Sequence, residues 1–173
     1  KCLQLANGAL YLDEDAKTWA ETHDEKLDAL REIVEQASGP VLVAYQFKSD
    51  LARLLKAFPE GRALVTTKDE DDFKAGKIPV LFAHPASAGH GIDGFQYVCN
   101  TVVFFGLWWD LELRQQFIER VGPIRQFQAG FDRPVYLYDI VAEGTVDEVV
   151  LKRHSTKREV QDLLLEALKE RKE

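Results

Sequence analysis

Methionine is absent from this 173-residue chain, and cysteine occurs only twice. Cys2 and Cys99 stand far apart with no Cys-x-x-Cys spacing, which excludes a zinc ribbon and a disulfide framework and points to a reducing, cytosolic setting. No apolar run approaches the roughly 20 residues that a membrane-spanning helix needs. Lys1 to Gln4 lacks the charged start and long apolar core of a signal peptide. Positive charge is also scarce: 22 Lys and Arg against 29 Asp and Glu leave a net charge of −7 and a pI near 5.2. That balance excludes a broad electrostatic grip on nucleic acid, so contact with phosphates must be local, through backbone amides and a few side chains. Neither a Gly-x-x-x-x-Gly-Lys-Ser/Thr loop nor an Asp-Glu-x-His box occurs, so the chain holds no phosphate loop of its own. The missing methionine, with an opening on an apolar stretch, predicts a piece of a longer protein.

What is present alternates between two periodicities. From Asp24 to Ala37 apolar residues recur three and four apart, at Leu27, Leu30, Ile33, Val34 and Ala37, which predicts an amphipathic helix ended by Gly39 and Pro40. Val41 to Tyr45 is a short continuous apolar run, the mark of a strand buried on both faces. Lys48 to Phe58 reads as helix, Ala63 to Thr67 as strand, and Asp69 to Gly76 as a short acidic helix closed by its glycine. Val80 to His84, Thr101 to Phe105 and Val135 to Val141 are further strands. Thr145 and Glu148 form a capping-box pattern that opens a helix running to the C-terminus. Strands alternating with helices predict an α/β fold, a central, mainly parallel sheet covered on both faces, with ligands at the carboxyl ends of its strands. Leu12 to His23 reads as a polar connector.

Three constellations carry candidate chemistry. The first is the small-residue loop from Pro85 to Gly94, with Ser87, Ala88, Gly89, His90, Gly91 and Asp93, where a phosphodiester backbone can approach peptide amides closely. It reads equally as an ordinary glycine-rich turn. His84, His90 and Asp93 invite a metal reading but lack a fourth ligand. Ser87, His90 and Asp93 lack the Gly-x-Ser-x-Gly elbow of a hydrolase. The second constellation is Tyr45, Gln46 and Phe47, where a polar side chain sits at the end of a strand and Phe47 reads as core. The third follows the Trp108–Trp109 pair: Gln116, Arg120, Arg125 and Gln126 lie on and after a short helix, expected at the carboxyl edge of the sheet. Guanidinium forks there would suit phosphate oxygens, although a solvated helix face holding arginines is the alternative. The two tryptophans read as packing, and Lys152, Arg153, His154, Lys157 and Arg158 as a solvated face or a contact with DNA or another lobe.

In order, these stretches resemble the second RecA-like lobe of the SWI/SNF-type ATPases of helicase superfamily 2. Gly39 to Phe47 with Leu51, Leu54 and Leu55 resembles motif IV; Ala88 to Asp93 resembles motif V; Thr101 to Asp110 resembles the strand and aromatic turn before motif VI; Gln116 to Gln126 resembles motif VI; and Val135 to Glu148 resembles the last strand and the helix start after it. The resemblance spans residues 24 to 155. It implies a RecA-like, P-loop NTPase-type three-layer α/β/α domain over residues 24–143, a connector from a first lobe over 1–23, and a helical extension over 144–173. It also implies ATP and Mg²⁺ held mainly by the N-terminal RecA-like lobe of the same parent, with duplex DNA as partner and no membrane.

By that resemblance Arg120 is the first motif VI arginine and reaches developing phosphate charge, while Gly91, Asp93 and Gln116 complete the nucleotide contacts. Gln46, Ser87, Ala88 and Gly89 would touch DNA. The family's second arginine falls on Pro123, so either Arg125 takes its role or one arginine suffices. The threonine that begins motif V falls near Pro85, with Ser87 the nearest hydroxyl. The short stretch from Thr66 to Pro79 implies a compact bacterial or phage version, working in the cytoplasm of a bacterial or phage-infected cell. Two rivals remain open: a non-catalytic RecA-like module that binds nucleic acid or protein, and a metal-dependent hydrolase using His84, His90 and Asp93.

Overall fold

The computed structural model describes residues 1–87 and 93–170, with side chains up to 159. Five parallel strands form the central sheet: β3 (Val41–Ala44), β4 (Arg62–Ala63), β5 (Val80–Ala83), β6 (Thr101–Phe104) and β7 (Tyr136–Asp139), in the order β4-β5-β3-β6-β7. Val41 pairs in register with Val80 on one side and Thr101 on the other. Every residue of β3, β5 and β6 is buried, as continuous apolar runs require when helices cover both faces.

Alternation along the strands divides the core in two. Leu42, Ala44, Leu81, Ala83, Val102 and Phe104 point to one face, where they meet Phe73 of α4 (Thr67–Lys74), Phe95 of a 3₁₀ turn (Phe95–Tyr97), Phe117 of α5 (Leu111–Glu119) and Val150 of α7 (Val146–Glu170). Val41, Val43, Val80, Phe82 and Val103 point to the other, against Leu27 and Leu30 of α2 (Glu25–Gln36) and Leu54 of α3 (Lys48–Ala57). The result is the expected three-layer α/β/α domain.

Three local expectations change, and one holds. The strand expected over residues 63–67 is only Arg62–Ala63, because Thr66 caps α4: its Oγ1 accepts from the Asp69 amide, and Asp69 Oδ2 accepts from Thr66 N at 2.8 Å. Gly76 does close that helix, with φ +71° and its N–H on Phe73 O. The capping box at α7 is shifted, since Glu148 Oε1 takes the Gly144 N–H rather than that of Thr145. The arginine segment holds a second helix, α6 (Pro123–Gln128), opened by Pro123 at its first position, where a missing N–H costs nothing.

Residues 1–23 hold structure that no local periodicity announces: helix α1 (Cys2–Ala6) and an antiparallel hairpin of β1 (Ala9–Tyr11) and β2 (Trp19–Glu21). A buried polar network ties this segment down. Asn7 Nδ2 donates to Asp50 Oδ2 at 2.9 Å, Lys26 Nζ donates to Asn7 Oδ1 at 2.9 Å, and the same ammonium lies 2.6 Å from Asp147 Oδ2 at the start of α7. Arg53 donates to the Asn7 and His23 carbonyls.

Candidate functional site

At the carboxyl ends of β3 and β5, the chain turns of Tyr45–Lys48 and His84–Ser87 face the hairpin across a cavity of about 450 Å³. Tyr11, Ala16, Tyr45, Gln46, Phe47, Lys48, His84 and Ser87 line it. Asp50 shapes the first turn: its Oδ2 accepts from Phe47 N at 2.9 Å and Gln46 N at 3.2 Å, so the strand leaves the sheet at a fixed angle. That carboxyl is almost wholly buried, and burial raises its pKa to about 6 against the pull of these hydrogen bonds and of Lys26. The His84 ring packs edge-on between Tyr45, centroids 5.5 Å apart, and Trp108, 4.6 Å apart. Burial lowers its pKa below the usual 6.5, which favours the neutral imidazole. The Gln46 side chain adds a polar group to this aromatic wall, and its buried Oε1 has no hydrogen-bond partner among the described residues.

A second group of candidate residues lies on α5, on α6 and at Asp93. Helix α5 starts past the end of β6 and is nine residues long, about 13 Å, with Arg114 and Phe117 packed on Phe104. Arg120 is half-buried at its C-cap, one turn beyond the exposed Gln116, whose Nε2 lies 3.5 Å from Glu112 Oε1. Helix α6 then sits beside the amino end of β6, where the buried Gln126 donates from Nε2 to Cys99 O at 2.8 Å and Val121 O at 3.0 Å. Arg125 forms an ion pair with Asp93 Oδ1. The Gly94 N–H on Asp93 Oδ1 at 2.9 Å and the Arg125 charge hold the exposed Asp93 carboxyl below the usual carboxylate range, against a slight loss of hydration.

The sequence-predicted residues therefore fall into two sets. Gln46 and Ser87 share the cavity; Asp93 and Arg125 pair with each other, and Gln116 and Arg120 ride on α5. Ala88, Gly89 and Gly91, with His90, lie outside the described residues. They are the chain that joins Ser87 of the first set to Asp93 of the second. Gly89, Gly91 and Gly94 have the spacing of a dinucleotide-binding loop, but a three-residue 3₁₀ turn follows where that motif opens an α-helix. Among the described residues no His, Cys, Asp or Glu group is arranged to hold a metal ion. Asp93 is committed to Gly94 and Arg125.

Sequence reasoning missed Tyr11 and Arg114. Tyr11 reaches the cavity from a hairpin without periodic signal, its hydroxyl accepting from Ser49 N at 3.1 Å. Arg114 clamps α5 to β7 through both Asp139 oxygens, at 2.5 and 2.9 Å, with its guanidinium 4.1 Å above the Phe104 ring. Beyond the α5 start, Trp109 is partly exposed and lies under Arg153 of α7, 5.5 Å from the ring centre.

No protein-family model matches the chain. It is 56% identical over 171 residues, 98% of its length, to protein p41 of Acyrthosiphon pisum secondary endosymbiont phage 1, of which it spans 37%. It is 29% identical over 107 residues, 62% of its length, to Helicase SWR1 of Debaryomyces hansenii, spanning 6% of that protein. The chain thus covers well under two thirds of these relatives. Among solved structures it resembles the C-terminal part of the Fun30 ATPase domain, with a TM-score of 0.64 and 19% identity over 84% of this chain and 48% of that one. The Pyrococcus furiosus Hef helicase domain follows with a TM-score of 0.51 and 18% identity over 79% of this chain and 28% of that one. At these identities the likeness is one of fold: the chain has the RecA-like fold of helicase ATPase domains.

Proposed function

We propose that this chain is the second RecA-like lobe of an ATP-driven motor that moves on double-stranded DNA, and that its ATP lies between this lobe and the N-terminal RecA-like lobe of the same parent. The observation that carries the reading is the Arg125–Asp93 ion pair. It ties α6, which follows the α5 helix that bears Gln116 and ends at Arg120, to the residue that closes the glycine-rich stretch 88–92 running on from Ser87 at the cavity edge. A cation set and a nucleic-acid-facing set only five residues apart in the chain suit the coupling of phosphate chemistry to movement. The likeness to Helicase SWR1 and to helicase ATPase domains supports it.

In this reading Arg120 and Arg125 approach the phosphates and stabilise the charge that develops as the terminal phosphoryl leaves. Gln116, Gly91 and Asp93 complete the contacts to the nucleotide. Pro123 sets the start of α6 and so aims Arg125, standing in for the arginine absent at position 123. Mg²⁺ neutralises phosphate charge when bound. Asp93 is already paired with Arg125, and among the described residues no group of three or more His, Cys, Asp or Glu could hold the ion, which suits a metal held by acids of the first lobe. Ala88 and Gly89, with Gln46 and Ser87, meet the DNA backbone.

The chain alone then does not hydrolyse ATP. A cytoplasmic setting in a bacterial or phage-infected cell follows from the same reading and from the phage relative. No helix among the described residues is long and apolar enough to cross a membrane.

The test is ATPase rate, with and without duplex DNA, on the full-length parent carrying Arg120→Ala or Arg125→Ala. Loss of about 10³-fold or more in DNA-stimulated turnover for both, with nucleotide binding retained, is expected. Loss with Arg120→Ala alone means that one arginine suffices. If neither change matters, the second reading takes over, a non-catalytic module that binds nucleic acid or protein; Pro123 at the family's arginine position favours it.

A further inference from the structure

We propose that the cavity at the carboxyl edge is a nucleobase pocket, which takes one unstacked base from a single-stranded end or overhang of the nucleic acid. The inference rests on the nucleic-acid reading of that edge and goes beyond it, because backbone contact alone needs no such pocket.

Three features argue for a base rather than a phosphate. First, half of the lining residues are rings: Tyr11, Tyr45, Phe47 and His84 converge on about 450 Å³, room for a planar heterocycle. Phosphate gains nothing from aromatic carbon, and the lining offers it one cation, Lys48. Second, the rings are held in place before any ligand arrives. Tyr11 packs edge-on against Trp19 at 6.1 Å and Phe47 at 6.4 Å, and its hydroxyl is fixed by Ser49 N. A rigid platform loses little freedom on binding. Third, Gln46 is one of the lining residues, and its carboxamide carries both a donor and an acceptor. A base edge carrying an amino group satisfies an acceptor of this kind, as carboxamides do with base edges elsewhere.

The geometry divides the work. Rings supply sequence-tolerant stacking, Gln46 supplies an edge contact, and the exposed Lys48 ammonium and Ser87 hydroxyl are left for the strand backbone. The imidazole of His84, favoured in its neutral form by burial, stacks without stripping water from a charge. Stacking of one base on such a platform changes affinity by roughly 5- to 150-fold.

The experiment compares four probes on the purified protein: a blunt duplex, the same duplex with a short overhang carrying 2-aminopurine, that overhang with an abasic site instead, and free 2-aminopurine nucleoside monophosphate. The base-bearing overhang is expected to bind at least about 5-fold tighter than the abasic one, with its fluorescence quenched by the rings. Tyr45→Leu and His84→Leu should erase the quench, with thermal melting to confirm folding. Equal affinity for the base-bearing and abasic overhangs, beside measurable blunt-duplex binding, overturns the pocket and leaves the nucleic-acid reading standing. Binding of no duplex at all overturns both. Free monophosphate that competes as well as the overhang assigns the pocket to a free nucleotide and overturns the strand-end reading.

Discussion

Lys26 and Asp147, near the starts of α2 and α7, meet as a buried ion pair with Nζ 2.6 Å from Oδ2 and side chains 2% and 0% exposed. Burial of the ammonium lowers its pKa, and Asp147 is the largest influence against that. The pair is not isolated: Asn7 and the Phe105 carbonyl also accept from Lys26, and Asn7 leads on to Asp50. One polar cluster thus fastens the hairpin, two helix starts and the end of β6 to each other. Desolvation and attraction nearly cancel in such pairs, so what it contributes is position more than net stability.

Removing one partner should therefore cost more than removing both. Lys26→Met strands the Asp147 carboxylate, whose Oδ1 already has no hydrogen-bond partner among the described residues, and is expected to lose about 3–5 kcal/mol in urea denaturation. Lys26→Met with Asp147→Leu should recover most of that loss. Equal losses in the single and double variants would show that the pair does not couple these elements.

Asp50 makes a pH dependence with a definite sign. Its carboxyl titrates near 3.8 in the unfolded chain and at about 6 when folded, so the folded state holds the proton more tightly. Its contribution is fully present below pH 3.8 and is lost as pH rises to 6, about 3 kcal/mol in all. His84 and His154 act oppositely: burial lowers their folded pKa, so their contribution is lost as pH falls below 6.5. Comparing wild type with Asp50→Asn isolates the carboxyl. The variant should gain stability relative to wild type between pH 4 and 6.5. A parallel pair of stability curves across that range would refute the assignment.

The strands that were legible in the sequence are those whose burial is two-sided. Val41–Ala44, Val80–Ala83 and Thr101–Phe104 are continuous apolar runs because helices cover both faces. The same rule misreads β7: Tyr136, Leu137 and Tyr138 look like a buried run, yet they are 38–46% exposed because β7 is the edge of the sheet. Residues 1–23 gave no periodic signal since tertiary partners hold them, Asn7 through Asp50 and Tyr11 through Ser49. The candidate site was legible as residue types, Gln46, Ser87, Asp93, Arg120 and Arg125, but not as places. That Arg125 pairs with Asp93 across 32 residues of chain follows from tertiary packing, which spacing does not encode.

Arg125 and Gln126 are neighbours with different duties, and stability separates them. Arg125→Ala removes a partly exposed ion pair and should change stability by less than about 1 kcal/mol. Gln126→Leu leaves the buried Cys99 and Val121 carbonyls without their donor, and removes the acceptor that Arg133 Nε reaches at 2.8 Å. A loss of about 2–4 kcal/mol is expected in thermal or chemical denaturation. Similar losses for both would mean that Arg125 is a structural residue and would weaken its proposed role at phosphates.

Gly106, just past β6, is where the buried network and the cavity touch. A Cβ there would lie 2.8 Å from Asn7 Nδ2, 3.0 Å from Gln46 Cβ and 3.5 Å from Asp50 Oδ2. Asn7 cannot retreat easily, because Asp50 and Lys26 hold its two amide atoms. Gln46 is tied through its own N–H to Asp50. Gly106→Ala is therefore expected to cost about 1–3 kcal/mol by overpacking and to displace Gln46, weakening discrimination between base-bearing and abasic overhangs. Adding Asn7→Ala opens space for the new methyl, so the double variant should be more stable than the sum of the two single losses by more than about 0.5 kcal/mol. Strict additivity would show that the methyl group is accommodated elsewhere and that Gly106 does not link the network to the cavity.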